Sequence, residues 1–171
     1  IIWVLLLSIS SQAQDILWEK TIGGKHADYL FDAIATPDYG LILVGSSLST
    51  QSGDVEKKTN GDFDYFISKV DEKGNTEWVQ TLGGDGVDML HSINRTFDGG
   101  YIVAGTSRSG LSGDKTSASM GQDDLWLLKM DMKGNIQWQK TLGGLADEKV
   151  AVVLPSIEGG YIIAGSSASD T

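Results

Sequence analysis

Apolar residues along this chain fall into short runs, each closed by Gly, Asp or Asn, and the runs return at one fixed step. The phrase Trp78-Val-Gln-Thr-Leu-Gly-Gly84 has copies beginning at Trp18 and at Trp138, 60 residues to either side. A second phrase keeps the same step: Asp38-Tyr-Gly-Leu-Ile-Leu-Val-Gly45, Asp98-Gly-Gly-Tyr-Ile-Val-Ala-Gly105 and Glu158-Gly-Gly-Tyr-Ile-Ile-Ala-Gly165. A fixed long period marks a repeat architecture, in which each unit buries its apolar faces against its neighbours. The repeats run 18–77, 78–137 and 138–171, the last incomplete.

Within a period the runs read as strands. Residues 16–22 are rich in β-formers and stop at Gly23-Gly24; residues 29–36 follow, then the turn Pro37-Asp38-Tyr39-Gly40 and the apolar run 41–44. Such a run, bounded by glycines, suits a strand buried on both faces. Residues 46–63 and their counterpart 106–123 are polar and read as long surface loops, ordered because their length is kept. A third strand, 64–71 or 124–131, leads through Glu72-Lys-Gly-Asn75 or Met132-Lys-Gly-Asn135 to the fourth, which opens at Trp78 or Trp138. Gly and Asn tolerate the positive φ of such tight turns.

Four short antiparallel strands per period predict an all-β fold, a β-propeller with four-stranded blades, present here as an incomplete fragment. A closed ring of four to eight such blades needs roughly 240 to 480 residues. A right-handed β-helix ranks second, since its coils are shorter and lack hairpin turns. Residues 16–22 match a fourth strand. They are expected to supply the outermost strand of the final blade, joining the two ends of the ring and hiding sheet edges.

Residues 1–9 are apolar but too short to span a bilayer as a mature helix. With Ser11 and Ala13 in the small-residue places of a cleavage site, residues 1–13 read as a signal peptide lacking its basic start. The mature chain, 14–171, is then a partial propeller with no membrane span, secreted or held at the cell surface. A net charge of −10 argues against nucleic-acid partners, which need clustered Lys and Arg. The chain has no Cys, so disulfides and thiolate metal sites are excluded.

The phrases Asp98-Gly-Gly-Tyr-Ile-Val-Ala-Gly105, Lys129-Met-Asp-Met-Lys-Gly-Asn-Ile-Gln-Trp138 and Trp138-Gln-Lys-Thr-Leu-Gly-Gly144 resemble propeller-repeat proteins secreted by gram-negative bacteria. Such proteins often end in a type IX secretion sorting domain, and the resemblance implies that export route. The turn Asp71-x-x-Gly74-x-x-x-Trp78 also resembles the docking motif of quinoprotein propellers. It is one residue shorter between Asp and Gly, so no quinone is carried over.

The glycine pairs Gly23-Gly24, Gly83-Gly84 and Gly143-Gly144 lack the helix and Lys-Ser/Thr of a phosphate loop and read as sharp turns between blades. Trp18, Trp78 and Trp138 recur in every period, which favours packing between blades over a sugar site. Asp54, Asp64, Asp114 and Asp124 are the calcium candidates, because hard cations take carboxylate and carbonyl oxygens. Their spacing matches no complete EF-hand loop, and Asp at strand entrances commonly caps turns. His26 and His91 sit at non-equivalent positions, and no Gly-x-Ser-x-Gly elbow occurs.

The leading expectation is a non-catalytic scaffold or binding module for an extracellular protein or glycan, without a cofactor unless calcium binds. The alternative is a propeller enzyme, hydrolase or quinoprotein-like, with its active site in blades outside this sequence. An enzyme should carry rare polar residues in one blade that break the repeat. Arg108 and His91 are the clearest.

Overall fold

The computed structural model describes residues 16–170, so the expected signal peptide lies outside the described residues. These residues hold ten strands and no helix, hence no helix able to cross a membrane. The first sheet is β1 (Asp28–Ala35), β2 (Leu41–Ser47), β3 (Asp64–Val70) and β4 (Thr76–Leu82), in that order and antiparallel throughout. The second repeats it as β5 (Asp88–Arg95), β6 (Tyr101–Ser107), β7 (Asp124–Met130) and β8 (Ile136–Leu142). A third unit contributes the pair β9 (Glu148–Pro155) and β10 (Tyr161–Ser167).

Residues 16–22, expected to belong to a final blade beyond this sequence, pair with no sheet among the described residues. They are held by side chains instead: the Trp18 indole N–H donates to Glu72 O at 3.0 Å, and Lys20 Nζ to Thr76 Oγ1 at 2.5 Å. A strand needs a ladder partner for its backbone, and the described residues present none beside this segment. The fourth strands also begin two residues before Trp78 and Trp138.

Hairpin chemistry sets the register. Asp71 Oδ1 accepts the N–H groups of Lys73 and Asn75, both at 2.8 Å, while Asn75 Nδ2 donates to Asp71 Oδ2 at 2.9 Å. Gly74 alone takes the positive φ, 79°, and Asn75 acts through its side chain. Asp131, Gly134 and Asn135 repeat the device. At the β1–β2 turn the positive φ falls on Tyr39, where the later units have Gly99 and Gly159.

Alternate residues of each sheet face opposite neighbours. Ile42, Val44, Tyr65, Ile67 and Leu82 of the first sheet meet Leu90, Val103, Trp126 and Leu128 of the second in one buried cluster. The other face of the second sheet, through Ile102, Ala104 and Leu127, meets Val150 and Val153 of the third unit. These central runs are buried on both faces, as the apolar pattern requires. Contacts between sheets pass through β5 and β9, the first strands of the later units. These meet the first three strands of the sheet before rather than the fourth, so the sheets fan outward from the edge of their first strands.

The tryptophans bridge successive units. Trp78, on β4, lies over the β7–β8 turn of the next sheet, where a Cβ on Gly134 would stand 3.0 Å from its Cζ3. Trp18 covers Gly74 in the same way. Trp138 is more open, 39% exposed, beside Tyr161 at 5.5 Å between ring centroids. Trp78 is half-buried, so Trp78→Ala is expected to cost about 2–3 kcal/mol, less than a fully buried indole, and Trp138→Ala under about 1 kcal/mol. Urea unfolding of the two variants checks the order; equal losses would show that the bridging contact carries no special weight.

Candidate functional site

Two places concentrate polar and aromatic chemistry. The first is the end of the sheets where units join. Each first strand opens on an acid: Asp28, Asp88 and Glu148 accept the N–H of Gly24, Gly84 and Gly144 at 2.7, 2.7 and 3.1 Å. Asp54 and Asp114 accept the preceding glycine amides, Gly23 at 3.1 Å and Gly83 at 3.2 Å. Gly83-Gly84 and Gly143-Gly144 lie between the last strand of one unit and the first of the next, and of the six paired glycines only Gly23 has a positive φ. Close approach explains the others. A Cβ on Gly83 would overlap Asp64 Oδ1 and lie 2.9 Å from Asp88 Oδ2, and one on Gly143 would sit between Asp124 and Glu148.

The four calcium candidates are therefore divided. Asp54 and Asp114 hold loop amides, and Asp114 also pairs with Lys57 at 2.9 Å. Asp64 and Asp124 are fully buried, each with an Oδ1 that has no hydrogen-bond partner. Asp64 neighbours Asp88, whose Oδ1 is also unpartnered, and no group of three or more His, Asp or Glu suited to a metal occurs among the described residues. Burial first, then the charges of Asp88 and Asp114, push the Asp64 carboxyl up to about 7; the Asn60 N–H and the Lys57 charge oppose them.

A third residue that breaks the repeat, beyond Arg108 and His91, is the buried Lys115, which stands where the first unit has the buried Val55. Its Nζ donates to Ser107 Oγ at 2.7 Å and Ser119 Oγ at 3.0 Å, and lies 5.5 Å from the Trp126 ring centroid. Burial pulls its pKa down, while the charges of Asp88, Asp124 and Asp85 pull it up. Trp126 donates to Gln139, which replaces Val79, at 3.0 Å. Lys115 and Gln139 thus stand as polar side chains at positions where the first unit has Val55 and Val79. Overlaying the repeats position by position is the signal that exposes them. Arg108, by contrast, forms a two-pronged pair with Asp123 at 2.6 and 2.8 Å.

The second place is the inner edge of the fan. Each first strand carries a one-residue bulge at the same point, leaving Phe31, His91 and Ala151 without a ladder partner. A glycine permits it each time: the backbone of Tyr29, Met89 or Lys149 presses where a Cβ on Gly45, Gly105 or Gly165 would be. Phe31 and Tyr29 are 44% and 51% exposed. Ring centroids link Phe63 to Tyr29 at 5.4 Å, Tyr29 to Phe31 at 6.2 Å and Phe31 to His91 at 4.9 Å, crossing from the first sheet to the second. Burial lowers the His91 pKa, so its imidazole is neutral at neutral pH. His26 lies outside this row, its backbone N–H bonded to Ser49 Oγ. Compared with known proteins, the chain matches no family model and no curated protein.

The Asp64 shift fixes a sign. Its folded pKa lies above the ordinary 3.8, so the folded state holds the proton more tightly and its contribution to stability falls as pH rises from about 4 to about 7. Asp64→Asn should remove that slope and gain on the parent at pH 8, measured by urea unfolding at several pH values. A parallel offset across the whole range would show that Asp64 stays ionised. Lys115 suggests a complement: Val55→Lys should lower the Asp64 midpoint toward the ordinary range, read by NMR titration of its side-chain carbon. An unmoved midpoint would mean that the two positions do not sense each other.

Proposed function

We propose that this chain is part of a secreted β-propeller that acts as a non-catalytic binding module at or outside the cell surface. The observation that carries it is the fan of repeated sheets with residues that differ between units on its inner edge. The bulge holds Phe, His and Ala in successive units, and the position two before it holds Tyr29, Met89 and Lys149. The packing residues around them keep their apolar character. Bulges at the rims of β-folds re-aim side chains toward ligands, and a module that reads a ligand with several units varies only the residues that touch it.

Closure has structural support of the same kind. Leu30 and Phe66 occupy the places of Leu90 and Trp126, which in the second sheet are covered by the first. Ile162, 56% exposed, occupies that of Ile42 and Ile102, which the next unit covers. A further sheet of the same repeat suits both faces. The apolar start and its small-residue cleavage site support export.

The test is a structure of the full gene product, with mass spectrometry of the protein recovered from the medium. The expected result is a closed ring with Phe31, His91 and Ala151 toward its axis and a mature start at Gln14. A linear stack of sheets, or an intact Ile1 start in the medium, would refute it.

A further inference from the structure

We infer that the row Phe63, Tyr29, Phe31 and His91 is a stacking platform for the neutral sugar rings of an extracellular polysaccharide. This rests on the binding-module reading and names its ligand. The rings follow one another across two sheets with interplanar angles of 39°, 36° and 55°, so they line a curved strip rather than a flat wall. A sugar ring offers an apolar C–H face for stacking and a belt of hydroxyls at its edge. The strip answers both: aromatic faces for the first, and for the second the Tyr29 hydroxyl and the His91 imidazole, which when neutral has one donor and one acceptor nitrogen.

Charge selects among ligands. The four side chains bring no formal charge at neutral pH, and the chain as a whole carries −10, which repels uronic acids, sulfated glycans and other polyanions. Size argues against a protein occupant of the strip itself, because a stable protein interface takes about 20–30 residues a side. The strip offers four rings. The Asp32 carboxylate and the Ser92 hydroxyl accept the backbone N–H groups of Ile93 at 3.0 Å and Val153 at 3.3 Å, tying the bulged strands of successive sheets together beside it.

Isothermal titration of the full chain with cellohexaose, xylohexaose, maltohexaose and chitohexaose tests the assignment, with polygalacturonate as the charged comparison. At least one neutral hexaose should bind and polygalacturonate should not. Phe31→Ala should weaken that binding about tenfold, the loss of one stacking partner, with melting unchanged. Trp138→Ala, outside the row, should bind as the parent does. No binding by any neutral hexaose, or binding that Phe31→Ala leaves intact, overturns the sugar platform. If the strip proves open on the axis of a closed ring, the module reading survives that result. If it proves buried between sheets, both fall.

Discussion

The structure depends on one recurring constraint: a carboxylate at the start of each first strand must reach the amide of the glycine that ends the unit before it. Asp88 reaches Gly84 and Glu148 reaches Gly144, and the same carboxylates accept from Ser109 Oγ and Ser167 Oγ at 2.8 Å each. Each acid thereby binds the connection between two units and the end of its own sheet. The residue before each bonded glycine, Gly83 or Gly143, is small because a second carboxylate, Asp64 or Asp124, presses on it from the preceding sheet. Sheet-to-sheet apolar packing could slide along its greasy faces; these polar clamps give it one register. Burial, with the charges of Asp88 and Asp114 beside it, makes ionisation costly at Asp64 and pushes its carboxyl up to about 7.

The Val55 and Lys115 pair shows how far the units diverge under a common backbone. Both are buried residues of the long loops 48–63 and 108–123, in which half of the residues are exposed. In the second unit an ammonium lies among hydroxyls and near Asp88 and Asp124, where the first unit has only apolar carbon. The same acids therefore sit in different electrostatic surroundings at the two junctions, and a fold of near-identical units gains one position with its own chemistry.

Much of this was legible from the residues. The turn Asp71 to Asn75 announces a hairpin through the side chains that clasp it, and the run Tyr101 to Gly105 announces a strand covered on both faces. Residues 16–22 have the composition of a strand, but strand formation needs a neighbour, and none pairs with them among the described residues. Lys115 was hidden because a lone lysine in a polar loop resembles any surface lysine until Val55 is laid over it. The pairing of Asp64 with Asp88 was hidden as well, for the partners lie in different units and meet only across a glycine.

The bulges carry the last step. In a regular strand every side chain belongs to one face or the other, so each position in a stacked sheet is bound to packing. A bulged residue leaves that alternation: Phe31, His91 and Ala151 lie between paired neighbours and face neither buried cluster. They are the positions that can change from aromatic to imidazole to methyl without disturbing the core. Gly45, Gly105 and Gly165 sustain this freedom by making room for the displaced backbone. The glycine closing the phrase Tyr-Ile-Val-Ala-Gly therefore serves two ends, one in the fold and one in what the fold presents. A side chain on that glycine would press against the bulged backbone and return the neighbouring residue to packing duty.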